Sequence, residues 1–127
     1  MMLLHHVLLT AALVTAVPAP KVVLPAFQQA SFDAAMKSGT PLVVIVAATW
    51  CPVCKAQEVA LSRLLATPEL KGVQVVRVDF EDQAAVVKAL RVESQSTIVA
   101  FKGGKEVGRW VGETNQDRIA IMMKRTL

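Results

Sequence analysis

The pattern of apolar and polar positions along the chain predicts alternating strands and helices. Pro41–Ala48 is an unbroken apolar run rich in β-branched residues, typical of a strand buried on both faces. Val73–Phe80 and Thr97–Phe101 are β-branched segments that predict two further strands. The pair Gly103-Gly104 predicts a hairpin turn into a fourth strand over Glu106–Val111. Antiparallel pairing is therefore expected at this end of the sheet.

Helical segments separate these strands, so the pattern favours the α/β class. The clearest one is predicted from Lys55 to Leu65, which contains no helix breaker. The others are expected over residues 32–37 after a Ser31 cap, from an Asp82 cap through Leu90, and after Thr114 with Ile119, Met122 and Met123 on its apolar face. Val22–Leu24 is predicted to be a short edge strand.

The first seventeen residues contain no Lys, Arg, Asp or Glu, and their apolar centre spans Val7–Val17. A membrane-spanning helix needs about 20 residues, so a secretory signal peptide is the preferred interpretation. Cleavage is expected after Ala16, with Ala19 as the second choice. The n-region lacks the usual Lys or Arg, and an uncleaved membrane anchor or a buried N-terminal helix remain alternatives. We therefore expect a signal peptide over residues 1–16, a mature domain over residues 20–127, and a periplasmic or secreted location.

Length and charge exclude some classes of function. A chain of 127 residues suits one domain. The net charge of +4 is spread without a block of like charge or an aromatic-basic patch, so nucleic-acid binding is not expected. Membrane contact is expected only if the N-terminal segment stays uncleaved.

The only two cysteines, Cys51 and Cys54, lie between the first buried strand and the long helix. Unpaired N–H groups at the helix N-terminus favour a thiolate on Cys51, which would make it the exposed nucleophile. Pro52 fits the first helical turn, where its missing N–H is not needed. Cys54, one turn further in, is expected to be more buried and able to attack a mixed disulfide formed on Cys51.

Two other interpretations of the cysteine pair stay open. A structural zinc site usually needs four Cys or His ligands, and beyond the pair the chain has only His5 and His6. A purely structural disulfide that closes so short a loop constrains little of the unfolded chain. Dithiol redox chemistry is therefore the favoured interpretation.

The order of elements around Trp50-Cys51-Pro52-Val53-Cys54-Lys55 resembles the thioredoxin-like superfamily across residues 22–127. Matching residues elsewhere are Val78-Asp79, Thr97–Phe101, Lys102-Gly103-Gly104 and Gly112. The resemblance implies a thioredoxin fold, with a central mixed β-sheet flanked by helices on both faces, and thiol–disulfide oxidoreductase activity.

A narrower resemblance rests on Lys55 and Glu58 after the cysteines, followed by Thr67-Pro68-Glu69-Leu70. This pattern is similar to the C-terminal domain of the transmembrane thiol:disulfide interchange reductase. Such domains pass reducing equivalents to periplasmic partners, a setting with which an export signal is consistent.

Three residues depart from the pattern of the superfamily. Ile45 stands where thioredoxins have a buried aspartate, and Val59 replaces a helix-kinking proline. Ser96, before Thr97, stands where the family has a cis-proline that faces the cysteines. A cis bond before serine costs about 2.5 to 4 kcal/mol, so Gln95–Ser96 is expected to be trans or strained.

Several neighbours complete the candidate site. Glu58 shares a helical stripe with Cys54, so it is expected either to be a partly buried proton acceptor for Cys54 or to bend into solvent and pair with a lysine. Lys55 should face solvent, with a charge that favours the Cys51 thiolate. Trp50 is expected to form a packing and docking surface. The remaining supporting positions are Pro52, Val53, Ser96 and Thr97.

The favoured function is an exported thiol–disulfide oxidoreductase that reduces or exchanges protein disulfides without a bound cofactor or metal. Its expected partners are protein or small disulfide substrates and a second redox protein that re-reduces or re-oxidises the dithiol. The alternative is a metal- or cluster-binding carrier of the same fold, since Ser96 would leave the cysteines less shielded than proline does.

Overall fold

The computed structural model describes residues 11–16 and 23–127. The first of these stretches is exposed and has no regular secondary structure. The elements that follow are α1 (Gln29–Ser38), β1 (Leu42–Ala47), α2 (Pro52–Leu65), β2 (Gln74–Asp79), α3 (Ala84–Ala89), β3 (Thr97–Lys102), β4 (Lys105–Val111) and α4 (Gln116–Lys124). The predicted cleavage sites and most of the predicted signal peptide lie outside the described residues or at their border.

The sheet has four strands in the order β2-β1-β3-β4. Strand β1 pairs in parallel with β2 and antiparallel with β3, and β3 pairs antiparallel with β4. The sheet is therefore mixed, as predicted. Every residue of β1 is buried, which is why its sequence is apolar without alternation.

The two faces of the sheet are covered by different helices. One core cluster joins alternate β1 residues, such as Val43 and Ile45, to residues of α2 and α4, including Leu61 and Ile119. The other joins Val44 and its neighbours to residues of α1 and α3. Residues that alternate along β1 thus point to opposite helical layers, which confirms the predicted α/β fold with helices on both faces.

The predicted edge strand over residues 22–24 is wrong for the described residues 23 and 24. The chain meets the sheet only at Ala26, which forms a single parallel bridge to Arg77. The Arg77 N–H donates to the Pro25 carbonyl at 2.8 Å, and Arg77 accepts from the Phe27 N–H at 2.8 Å. Pro25 has no N–H to extend this pairing toward the N-terminus.

Three helix starts also differ from the prediction. Helix α1 begins at Gln29, before the predicted cap Ser31. Helix α3 follows Gln83, because the Asp82 N–H is bonded to the Asp79 carboxylate at 2.8 Å in the preceding turn. Helix α4 is capped by Asn115, whose side chain accepts from the Arg118 N–H at 3.0 Å. Neither Asp82 nor Thr114 is therefore a cap.

No helix within residues 11–16 and 23–127 is both long enough and apolar enough to cross a membrane.

Candidate redox site

The cysteine pair lies at the junction between β1 and α2, where the sequence places it. Cys51 and Cys54 form a disulfide with a Cα–Cα distance of 5.3 Å. Cys51 is the N-cap residue of α2 and Pro52 its first helical residue. The Cys54 N–H donates to Cys51 Sγ at 3.1 Å, so the sulfur takes the place of a capping oxygen. A negative charge on this sulfur would face the positive end of the helix.

Both cysteines are buried in the disulfide form. Cys54 is completely inaccessible and Cys51 is 4% exposed, so the expectation of an exposed Cys51 is wrong for this form. The reason is that Cys51 belongs to the core cluster that also contains Ala47 and Ala48. Cys51 is nevertheless the more accessible of the two sulfur-bearing residues.

Exposed apolar side chains lie next to the cysteines along the chain. Trp50 is 58% exposed and Val53 is 39% exposed, on either side of Cys51 and Pro52. The Trp50 indole Nε1 donates a hydrogen bond to the Glu81 carboxylate, which fixes the ring on the surface. Lys55 is exposed, as predicted. A partner that reaches Cys51 would therefore contact an apolar rim.

The loop before β3 comes to the same end of the sheet as the cysteines, because Thr97 pairs with Val46 near the end of β1. The Gln95–Ser96 bond is trans, as predicted. Ser96 has a φ of +58°, which is a strained conformation for a residue other than glycine. Its carbonyl accepts from the Gly112 N–H at 2.8 Å, and Thr97 Oγ1 donates to the Ser94 carbonyl at 2.7 Å. These bonds stabilise the strained turn.

Gln57 is a site residue that the sequence analysis missed. Its side chain is completely buried, and Nε2 donates to the Ser96 carbonyl at 3.0 Å. Gln57 follows Cys54 by three positions and lies on the buried stripe with Leu61 and Leu64. An amide on an otherwise apolar stripe is the sequence signal that could have identified it.

Glu58 is half-buried and forms an ion pair with Arg77, with 2.6 Å between Oε1 and Nε. Its partner is therefore an arginine on β2, and not a lysine. Arg77 is the β2 residue in register with Ile45. The Glu58 carboxylate is thus paired with the strand neighbour of Ile45, the position where the resemblance implies an aspartate. Its role as a proton acceptor stays a prediction.

Asp79 closes this charged cluster at the end of β2. It accepts hydrogen bonds from the backbone N–H groups of Asp82 and Glu81 at 2.8 and 3.0 Å. These bonds, the Asp82 one above all, and the contact with Arg77 lower the pKa of the Asp79 carboxyl below its ordinary value, against a smaller opposing effect of burial. Asp79 therefore orders the turn that carries Glu81, and Glu81 is the hydrogen-bond partner of Trp50.

The residues that the structure describes include no group of three or more His, Cys, Asp and Glu side chains placed to hold a metal ion. Within these residues, the metal-carrier alternative is therefore not supported by any such group of ligands.

The family model of thioredoxin matches residues 23–125 of this chain. The chain belongs to the thioredoxin family. The crystal structure of Trxlp from Edwardsiella tarda EIB202 has 38% sequence identity to this chain. The match covers 80% of this chain and 98% of the Trxlp chain, with a TM-score of 0.76. Thioredoxin from Chlamydia trachomatis is 32% identical over 97 residues, or 76% of this thioredoxin-family chain and 92% of the relative.

Other relatives are longer than the matched region. Thioredoxin H2-1 from Oryza sativa is 39% identical over 79 residues, which cover 61% of this chain and 56% of the rice protein. The chain thus spans little more than half the length of that relative. The family membership confirms the predicted thioredoxin-like superfamily and its fold. The chemistry that the Cys51–Cys54 pair can perform is thiol–disulfide exchange.

Proposed function

We propose that this protein is an exported thiol–disulfide oxidoreductase that reduces or exchanges disulfides in other proteins. The observation that supports it best is the Cys51–Cys54 disulfide at the N-terminus of α2 in a thioredoxin-family chain. Such a disulfide can open and close while the rest of the fold stays in place. Thiolate chemistry also requires a favourable electrostatic position, and the helix N-terminus provides one for Cys51.

The proposed reaction has two exchange steps. The Cys51 thiolate attacks one sulfur of the substrate disulfide, and the substrate's other sulfur leaves as a thiolate that takes up a proton. The Cys54 thiolate then attacks Cys51 Sγ, which forms the Cys51–Cys54 bond and releases the second substrate thiolate. Two electrons have passed to the substrate. A dithiol partner restores the reduced protein by the same steps in reverse.

Substrate contact in this proposal involves the apolar rim. Trp50 and Val53 offer exposed apolar surface beside Cys51. The Ser96 carbonyl, in contrast, already accepts hydrogen bonds from Gly112 and Gln57. We therefore expect protein substrates to dock mainly through apolar contacts.

The order of attack can be tested with two variants in an insulin-reduction assay with dithiothreitol. Cys51→Ser should reduce the rate to that of the uncatalysed reaction, because no thiolate remains at the helix N-terminus. Cys54→Ser should keep the first step and accumulate a mixed disulfide with the substrate, visible by mass spectrometry as a covalent adduct. Adduct formation by Cys51→Ser instead would reverse the assignment, and full activity in both variants would refute the proposal.

Export and the reducing direction rest on the sequence. The apolar, uncharged segment over Val7–Val17 supports export. The resemblance to the interchange-reductase domain supports electron flow toward the substrate. This direction of electron flow stays a prediction. Metal binding by the reduced protein likewise stays an alternative, which anaerobic titration with copper or zinc would test.

A further inference from the structure

Gln57 has an environment that its contact with Ser96 explains only in part. The side chain is completely buried, its Nε2 is bonded to the Ser96 carbonyl, and its Oε1 accepts no hydrogen bond. Within residues 11–16 and 23–127, this oxygen is the one buried side-chain nitrogen or oxygen without a partner. An unpaired buried amide oxygen destabilises a fold, because it loses its hydrogen bonds to water and gains none in return, so its presence requires a reason.

The orientation of the amide is fixed by its neighbour. The Ser96 carbonyl can only accept a hydrogen bond, and it lies 3.0 Å from Gln57 Nε2. If the amide were reversed, two oxygens would face each other. The nitrogen must therefore face Ser96, and the oxygen is the end left free.

Gln57 lies on the side of the helix that carries the disulfide. Cys54 and Gln57 are one helical turn apart on the same face of α2, and both are completely buried. Long side chains in a helix lean toward its N-terminus and cover the preceding turn, which here contains Cys54. The contact with Ser96 agrees with this direction, because that loop lies at the same end of the sheet as the cysteine turn.

We propose that Gln57 is a positioning residue whose Oε1 accepts a hydrogen bond from the Cys54 thiol in the reduced protein, while its Nε2 keeps the Ser96 loop in place. The disulfide form has no S–H group to donate. Reduction by a dithiol adds two electrons and two protons, breaks the Sγ–Sγ bond and creates a donor one turn before the unpaired acceptor. The contact stabilises only the dithiol form, and it retains a proton on Cys54 while Cys51 reacts as a thiolate.

This inference rests on the proposed function, since it requires a disulfide that opens and closes during turnover. Gln57→Leu tests it, because leucine fills a similar volume without an amide. The change removes an unpaired oxygen from the disulfide form and an acceptor from the dithiol form. Both effects shift the equilibrium with glutathione toward the disulfide. We expect a shift of about three- to tenfold in the equilibrium constant, and tenfold corresponds to about 30 mV in the reducing direction.

Gln83→Leu is the matched control. Gln83 Oε1 accepts from the Asp79 N–H at 3.0 Å, and its Nε2 donates to the Phe27 carbonyl at 3.4 Å, so it also joins two segments. Its loss should destabilise the disulfide and dithiol forms equally and leave the glutathione equilibrium unchanged. Thermal unfolding of both forms gives a second measurement, in which Gln57→Leu lowers the midpoint of the dithiol form more than that of the disulfide form.

Gln57→Met, of similar length and without an amide, replaces Gln57→Leu if the leucine variant does not fold. An equilibrium constant within twofold of the wild type, or a shift toward the dithiol, would overturn the role of Gln57. If the wild-type disulfide resists both glutathione and dithiothreitol, the proposed oxidoreductase function fails as well. A wild type that reduces insulin beside variants with an unchanged equilibrium would refute only the inference about Gln57.

Discussion

Ser96 shows how one residue alters the site that the family resemblance implies. Its φ of +58° lies in the left-handed region, whereas proline fixes φ near −65°. Proline could not occupy the observed backbone conformation without a rebuilt loop. The loop is instead ordered by hydrogen bonds to its carbonyl from Gly112 and from the buried amide of Gln57. Polar contacts thus provide the rigidity that a proline ring would otherwise provide.

Glu58 leads to a prediction about pH dependence. If its carboxylate accepts the proton of Cys54 during the second exchange step, Glu58→Gln should slow insulin reduction by about tenfold at pH 6. The loss should be less than about twofold at pH 9, because more Cys54 is then ionised without a base. Turnover measured from pH 6 to pH 9 would show the difference.

Glu69→Gln is the control for this prediction. Glu69 also forms an ion pair, at 3.6 Å with Lys124, but it is exposed and lies after the end of α2. Its loss should leave the pH profile unchanged. An equal loss at every pH in Glu58→Gln would show that Glu58 acts only through its ion pair with Arg77.

Among the secondary-structure elements, the hairpin between β3 and β4 depends on two glycines with positive φ. Gly103 has a φ of +58° and Gly104 a φ of +76°. Residues other than glycine rarely adopt this backbone conformation. The two positions differ in their surroundings. A Cβ on Gly104 would lie 2.6 Å from the Met36 carbonyl oxygen of α1, whereas a Cβ on Gly103 would have no heavy atom within 4 Å.

Gly104→Ala should therefore destabilise the fold more than Gly103→Ala does. Backbone strain alone should reduce the free energy of unfolding by about 1 kcal/mol in Gly103→Ala. In Gly104→Ala the contact with backbone must also be relieved, and we expect a loss of about 3 kcal/mol. Urea unfolding of both variants measures the difference. Equal losses would mean that the hairpin moves away from α1 at little cost.

The elements that the sequence predicted are those whose signal is local. The apolar run of β1 and the Gly103-Gly104 turn need no distant partner to be recognised. Helix starts were less predictable, because Thr114 and Asn115 are both capping residues and the choice depends on the path of the preceding loop. The prediction of an edge strand near Leu24 was wrong because pairing with β2 is limited to the residues next to Pro25.

At the scale of the whole molecule, the sequence located the two cysteines but not the contacts that surround them. The disulfide joins residues three positions apart, so its place at the start of α2 follows from local pattern. Gln57 and Ser96 are 39 positions apart, and Glu58 and Arg77 are 19 apart. Such contacts depend on the packing of α2 against one face of the sheet, which no local pattern encodes.

Export is the prediction that concerns the chain as a whole. If residues 1–16 form a signal peptide, a fusion of residues 1–20 to alkaline phosphatase that lacks its own signal should be active in the bacterial periplasm. N-terminal sequencing of the exported full-length protein should begin at Val17, or at Pro20 for the second cleavage choice.

The matched control is Leu9→Arg, which places a charge in the apolar centre and should abolish export, since an h-region must stay apolar to be recognised. Intact protein in the membrane fraction with Met1 retained would indicate an uncleaved anchor and refute cleavage. Inactive fusions from both the natural and the variant segment would refute export itself. Cys51 and Cys54 would then have to carry out thiol–disulfide exchange in the cytosol, where the glutathione pool is reducing. In that compartment a reductase keeps its dithiol form without an exported electron donor.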